Sequence, residues 1–236
     1  MSPAIADHQF QFLIEAVAWR YRSCGRFVIG FVRGKLKHDP IYRELLNLPV
    51  WNQPGLIVDL GCGRGILLAA LNSARSLGLL EGGKSCKPAL LGVELNEKAA
   101  ALAGTALGTE ASITHADIRT VPIPPCRLAL LIDVLYQLKP AEQEDVLQKA
   151  ILALEPGGIL LLREADAGAG WRYAITWLAE GTLRLTRRNA TPRRHYRKSQ
   201  EWREKLEGFG LTLESRSLSA GTPFANVLFI GRKPVS

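Results

Sequence analysis

Cysteine is sparse and scattered in this chain. The four cysteines, Cys24, Cys62, Cys86 and Cys126, stand far apart with no C-x-x-C pair. Neither a disulfide framework nor a bound metal has a foundation. No charge-free apolar run approaches the roughly 18 residues that a spanning helix needs. The segment Met1 to Phe10 lacks the basic-then-apolar order of a secretory signal. Internal repeats and long low-complexity tracts are also missing. These absences lead us to expect a cytoplasmic, reduced, metal-free protein with no transmembrane segment.

What is present is a chain of 236 residues, 47% apolar, with a formal net charge of +8. That length and composition suffice for a buried core in one domain with appendages. The most informative stretch is Val58-Asp59-Leu60-Gly61-Cys62-Gly63-Arg64-Gly65. Leu56 to Leu60 reads as a short buried strand, and a helical run begins at Ile66. Glycine at every second position lets the backbone turn sharply and approach a ligand closely. The helix start beyond it offers unsatisfied N–H groups to an anionic group. Two readings of the turn compete. A nicotinamide-binding turn, G-x-G-x-x-G, requires glycine where Ile66 stands and an acid about 20 residues further on.

Downstream elements recur in order. Ala89 to Val93 is an apolar strand ending in Glu94, and a helix follows from Asn96 to Leu107. Ser112 to Asp117 is a short strand ending in a second acid. Arg127 to Asp133 is a fourth strand, and Glu155-Pro156-Gly157-Gly158 turns into a fifth, Ile159 to Leu162. Gly78 to Pro88 reads as an inserted surface loop, which costs little because closure entropy grows slowly with length.

Taken together, residues 54 to 164 resemble the class I S-adenosylmethionine (SAM) methyltransferases of small-molecule type. The glycine string matches their motif I, an acid, an apolar residue and G-x-G-x-G. The resemblance implies a three-layer αβα Rossmann-like α/β sandwich, whose seven-stranded, mostly parallel sheet ends in an antiparallel C-terminal hairpin. Leu211 to Leu218 and Phe224 to Gly231, joined by Gly221-Thr222-Pro223, would form that hairpin. It also implies SAM as cofactor and S-adenosylhomocysteine as product. The donor would be held by Asp59, Gly61, Cys62, Gly63 and Gly65, by Glu94 at the ribose, by Asp117 at the adenine, and by Leu95, Ile118 and Asp133.

Residues 1–53 read as an N-terminal helical cap. The remainder, 54–236, reads as the SAM-binding methyltransferase domain with a basic insertion around 171–198. Phe10, Leu13, Ile14, Val17 and Tyr21 recur at helical spacing, as do Phe27, Val28, Phe31 and Val32. Six cations (Arg20, Arg22, Arg26, Arg33, Lys35 and Lys37) face a single acid, Glu15, between residues 9 and 37. In the family such helices close over the donor, which makes Tyr21, Arg22 and Arg26 candidates to shape the acceptor pocket. The tract from Arg20 to Leu36 also resembles bacterial methyltransferases of polyketide and aryl polyene pathways. Arg184 to Lys198 holds seven cations, His195 and Tyr196 without an acid. This segment and the N-terminal arginines suit an acyl carrier protein or an anionic surface; nucleic acid is less favoured, since no separate RNA-binding module is visible.

The sulfonium of SAM makes its methyl electrophilic, so alignment with the acceptor is the protein's main task. Alignment supplies roughly 7–11 kcal/mol, against ~10²–10⁴-fold in rate from a general base. Candidate catalytic groups are Asp133 at the end of strand 4, Tyr136 in the loop after it and His195, with Glu164 at the end of strand 5. Strand 4 lacks the Asp/Asn-Pro-Pro-Tyr/Phe of amino-methylating enzymes, so the expected reaction is transfer to oxygen or carbon of a small-molecule or carrier-bound acceptor. The alternatives are an RNA methyltransferase that uses the basic lid and a non-catalytic SAM-fold protein that binds a carrier or membrane.

Overall fold

The structure, a computed structural model, describes residues 5–51, 54–80, 88–168, 194–219 and 225–235. Most of the inserted loop (81–87), most of the basic insertion (169–193, with Arg184, Arg187, Arg188 and Arg193) and Gly221-Thr222-Pro223 lie outside those residues. The chain forms two compact units, Met1–Val121 and Pro122–Ser236.

The first unit starts with three helices, α1 (Asp7–Arg20), α2 (Arg26–His38) and α3 (Ile41–Leu46), with a single 3-10 turn over Arg22–Cys24 between the first two. Leu13, Val17 and Tyr21 of the α1 stripe are fully buried, as are Val32 of α2 and Leu45 of α3. Their spacing of three to four residues turns one face of each helix inward. Strand β1 (Leu56–Leu60) leads into α4 (Ile66–Ser76), β2 (Ala89–Glu94) into α5 (Glu97–Leu107), and β3 (Ser112–His115) closes the unit. Strands β1, β2 and β3 run parallel, each helix supplying the crossover that parallel pairing demands.

The second unit contains β4 (Cys126–Ile132), α6 (Pro140–Ala153), β5 (Leu154–Ala165), α7 (Ser199–Gly208), β6 (Thr212–Ser217) and β7 (Asn226–Arg232). Strand β4 is parallel to β5, and β7 is antiparallel to both β5 and β6. The strand order is β3-β2-β1-β4-β5-β7-β6, a seven-stranded mixed sheet with the antiparallel C-terminal pair that the resemblance implies.

Strand β5 starts earlier than the sequence suggests. Cys126 pairs with Leu154, but Leu128 already pairs with Ile159, so Glu155 to Gly158 bulge within the strand. Gly157 is left-handed there, with φ of 71°. A side chain on Gly158 would put its Cβ 2.8 Å from the Glu155 carbonyl. The Pro-Gly-Gly segment is therefore a kinked strand entrance, held by the Arg127 guanidinium donating to the Pro156 carbonyl at 3.0 Å.

Candidate functional site

In the first unit the chain leaves β1 through Gly61, Gly63 and Gly65, all left-handed with φ of 82°, 56° and 73°. A residue with a Cβ pays roughly 1–2 kcal/mol for that conformation. The space around the glycines differs. On Gly65 a Cβ would sit 2.9 Å from both Ala103 Cβ and Leu107 Cδ1; on Gly63 it would meet nothing within 4 Å. Gly65 thus allows α5 to pack against the turn, whereas Gly63 leaves the backbone open to approach. Cys62 turns back against β2, where a Cβ on Gly92 would lie 2.7 Å from its Sγ. Burial pushes its thiol pKa well up.

One carboxylate fastens this turn. Glu94 Oε2 accepts from the Gly63 N–H at 2.8 Å, and its Oε1 accepts from the Asn96 N–H at 2.7 Å. The Asn96 side chain in turn caps α5 by accepting from the Ala99 N–H at 2.9 Å. Between them Leu95 leaves 60% of its surface exposed. Asp59 is buried in β1, and burial followed by the nearby Glu94 charge pushes its carboxyl pKa up to about 7. Asp117 lies two residues beyond β3, and its Oδ2 pairs with Arg119 Nη2 at 2.6 Å. Ile118 is buried beside it.

Arg64 links the turn to the N-terminal helices. Its guanidinium carbon lies 4.1 Å from the centre of the Phe31 ring, and its carbonyl accepts the Tyr21 hydroxyl at 2.8 Å. Its Nη1 is buried with no hydrogen-bond partner among the described residues. Tyr21 is itself fully buried, which places it beneath the turn as a brace. Arg22 folds over Trp19, 5.2 Å from the ring centre.

The second unit gathers the other candidates. Asp133 follows β4 with φ of 57°, the only left-handed non-glycine among the described residues. Its N–H donates to the Arg163 carbonyl, and its Oδ2 accepts from Arg163 Nη1, both at 3.0 Å. Arg163 is buried in β5. Glu164, next along β5, is also buried and accepts from the Leu135 N–H at 2.8 Å. Burial, reinforced by Asp133, holds the Glu164 carboxyl well above the usual range, although backbone N–H groups of the loop pull the other way.

Tyr136 and Tyr196 stack with centres 5.0 Å apart and planes 8° from parallel. The Arg194 guanidinium carbon lies 5.3 Å from the centre of the Tyr136 ring. The His195 N–H donates to the Tyr136 carbonyl at 2.8 Å, and its own carbonyl accepts from Gln143 Nε2 at 2.7 Å. Arg197 completes the clamp through Gln143 Oε1 at 2.7 Å and Glu144 Oε1 at 2.9 Å. The described end of the basic segment is thereby pinned to the start of α6, with Arg194 and Arg197 engaged inside the second unit.

Comparison with known proteins names this arrangement. The profile of a family described as a methyltransferase domain matches residues 34–216. The chain belongs to that methyltransferase family. The fold is the Rossmann-like one of the class I SAM-dependent enzymes. A carboxy-S-adenosyl-L-methionine synthase from Chromohalobacter salexigens is 33% identical over 113 residues, covering 46% of this chain and 39% of the relative. A protein of the same description from a Psychrobacter strain is 31% identical over 56% of this chain and 48% of its own length. The methyltransferase chain thus spans half or less of the curated relatives it matches. Among solved structures, human N-acetylserotonin methyltransferase in complex with SAM is 16% identical with a TM-score of 0.59, covering 99% of this chain and 60% of that one. At that identity the likeness is one of fold.

The residues present fit SAM. The open face of Gly63, the orphaned Arg64 N–H and the exposed Leu95 are what an amino-acid carboxylate and a nucleoside would use. Sequence reasoning singled out Asp59, the three glycines, Cys62, Glu94, Leu95, Asp117 and Ile118, and the structure sets all of them in the first unit. Asp133, singled out both for the donor and for catalysis, lies in the second with Tyr136 and His195, the last two joined by a main-chain hydrogen bond. Arg64, Arg163, Gln143 and Tyr196 were not singled out for these roles. Arg163 had a signal, a cation at the end of the apolar run Ile159 to Leu162; Gln143 and Tyr196 had none.

Proposed function

We propose that the protein transfers a methyl group from SAM to an oxygen or carbon of a small-molecule or carrier-bound acceptor. The carrying observation is the left-handed glycine turn, whose Gly63 N–H is held by Glu94 while its open side stays clear. In this reading Glu94 and Asp117 bind the ribose and adenine, and Asp59 faces the cationic amino-acid end. Bound SAM supplies an electrophilic methyl for in-line displacement, with S-adenosylhomocysteine as the product. Asp133, fixed by Arg163, and Tyr136, fixed by its ring stack, orient the acceptor. His195 or Asp133 takes the acceptor proton where one must leave. Engagement of Arg194 and Arg197 within the second unit favours a small acceptor over RNA.

Calorimetric titration with SAM tests the donor half. Micromolar binding that Glu94→Ala abolishes is the expected result; no heat from the intact protein refutes the reading. Label transfer from methyl-labelled SAM to a panel of phenols, enols and carrier-bound β-keto acyl chains tests the acceptor half.

A further inference from the structure

The outer faces of α1 and α2 carry an apolar load, of which only Phe31, under the Arg64 guanidinium, is known to touch the glycine turn. Phe12 and Trp19 are 63% and 67% exposed, and seven residues apart they share one side of α1. Phe27 and Phe31, four apart on α2, are 81% and 43% exposed. Single exposed rings are ordinary, but four on two consecutive helices are a heavy apolar load for solvent-facing positions. Glu15, between Phe12 and Trp19, is fastened to Arg33 of α2 with Oε2 3.0 Å from Nε, which ties the outer edges of the helices together.

The charge around these rings has one sign. The acids of α1 are both committed, Asp7 to Arg43 and Glu15 to Arg33. Arg22, Arg26 and Lys37 are exposed and have no carboxylate partner among the described residues. Arg22 lies over Trp19, so a cation and an interfacial ring are presented together. We propose that this face of the α1–α2 hairpin docks on an anionic lipid surface. Rings would enter the boundary between headgroups and acyl chains while the cations meet lipid phosphates. Unpaired cations beside exposed Trp and Phe on one helical hairpin match the composition of helices that lie in the interface of an anionic membrane. No helix among the described residues is long and apolar enough to cross a membrane, so the attachment is peripheral.

The test is sedimentation of the full chain with vesicles of equal parts phosphatidylglycerol and phosphatidylcholine, beside vesicles of phosphatidylcholine alone. The chain is expected to sediment with the anionic vesicles only, and to be released by high salt. Arg22→Gln with Arg26→Gln should weaken binding by about thirtyfold. Trp19→Ser with Phe27→Ser should weaken it without removing the salt dependence. Unchanged thermal midpoints check that both exposed pairs leave the fold intact. Equal sedimentation with both vesicle types, or binding that neither pair affects, overturns the proposal. So does self-association lost in Trp19→Ser with Phe27→Ser in a chain that ignores vesicles, because a second copy then covers the face. SAM titration of the same variants reads the donor site separately.

Discussion

The two candidate sites reach rigidity by opposite routes. In the first unit geometry is fixed mainly by backbone: three left-handed glycines, a strand end and one carboxylate that accepts two N–H groups. In the second it is fixed by side chains gripping one another across long sequence separations, as in Arg163 with Asp133, Tyr136 on Tyr196 and Arg197 with Gln143. On the proposed function, a donor common to a whole family would be met by a standard piece of backbone, and an acceptor particular to one protein by side chains that can be exchanged. The comparison teaches where to look for specificity: around Asp133, Tyr136 and Tyr196.

Gly65→Val should give the largest effect. It adds a close clash to an adverse φ, and should cost about 2–4 kcal/mol, seen as a lowered thermal midpoint. Gly63→Ala sharpens the contrast, because it pays only the conformational cost of roughly 1–2 kcal/mol, yet should abolish SAM binding in calorimetry. A variant that keeps its affinity would show that this glycine serves the turn alone.

Asp133→Asn is the matching change in the second unit. Arg163 loses its charged partner, and stability should fall by about 1–2 kcal/mol, since Asp133 remains partly in solvent. SAM affinity should hold while turnover of any acceptor found by the panel falls at least tenfold. Tyr136→Phe keeps the ring stack and should lower turnover with stability unchanged. If instead either variant lost SAM binding with its fold intact, the division between donor and acceptor residues would fail.

Acidity offers the subtlest test. With its carboxyl raised to about 7, Asp59 is held protonated by the fold. Its contribution to stability is complete below the ordinary carboxylate range, and is lost as pH rises through 7. Glu164 acts in the same direction. A cationic ligand favours ionised Asp59, so SAM affinity should rise between pH 6 and 8 while the thermal midpoint of the free protein declines. Asp59→Asn should flatten the Asp59 part of both trends.

What could be read in the sequence follows from the same contrast. The β1 turn, Glu94 and the Asn96 cap are local patterns, and local patterns are legible. Asp117 was legible as an acid after β3, but its pairing with Arg119 was not, because a short exposed ion pair leaves no period or spacing to read. The kinked entrance of β5 was hidden because Pro-Gly-Gly spells a turn, while Arg127 and the pairing of Cys126 with Leu154 hold it in the sheet. The Tyr136–Tyr196 stack joins residues 60 positions apart with no shared motif.

The hydroxyl that Tyr21 gives to the Arg64 carbonyl has a dynamic consequence. Detaching α1 would strip that carbonyl of its donor and expose an otherwise sealed phenol ring, so the N-terminal helix and the glycine elbow should open as one cooperative unit. Amide hydrogens of α1 and of the first turn of α4 should then exchange with solvent at matched rates. Ligand that steadies the elbow should slow both, although it touches only one.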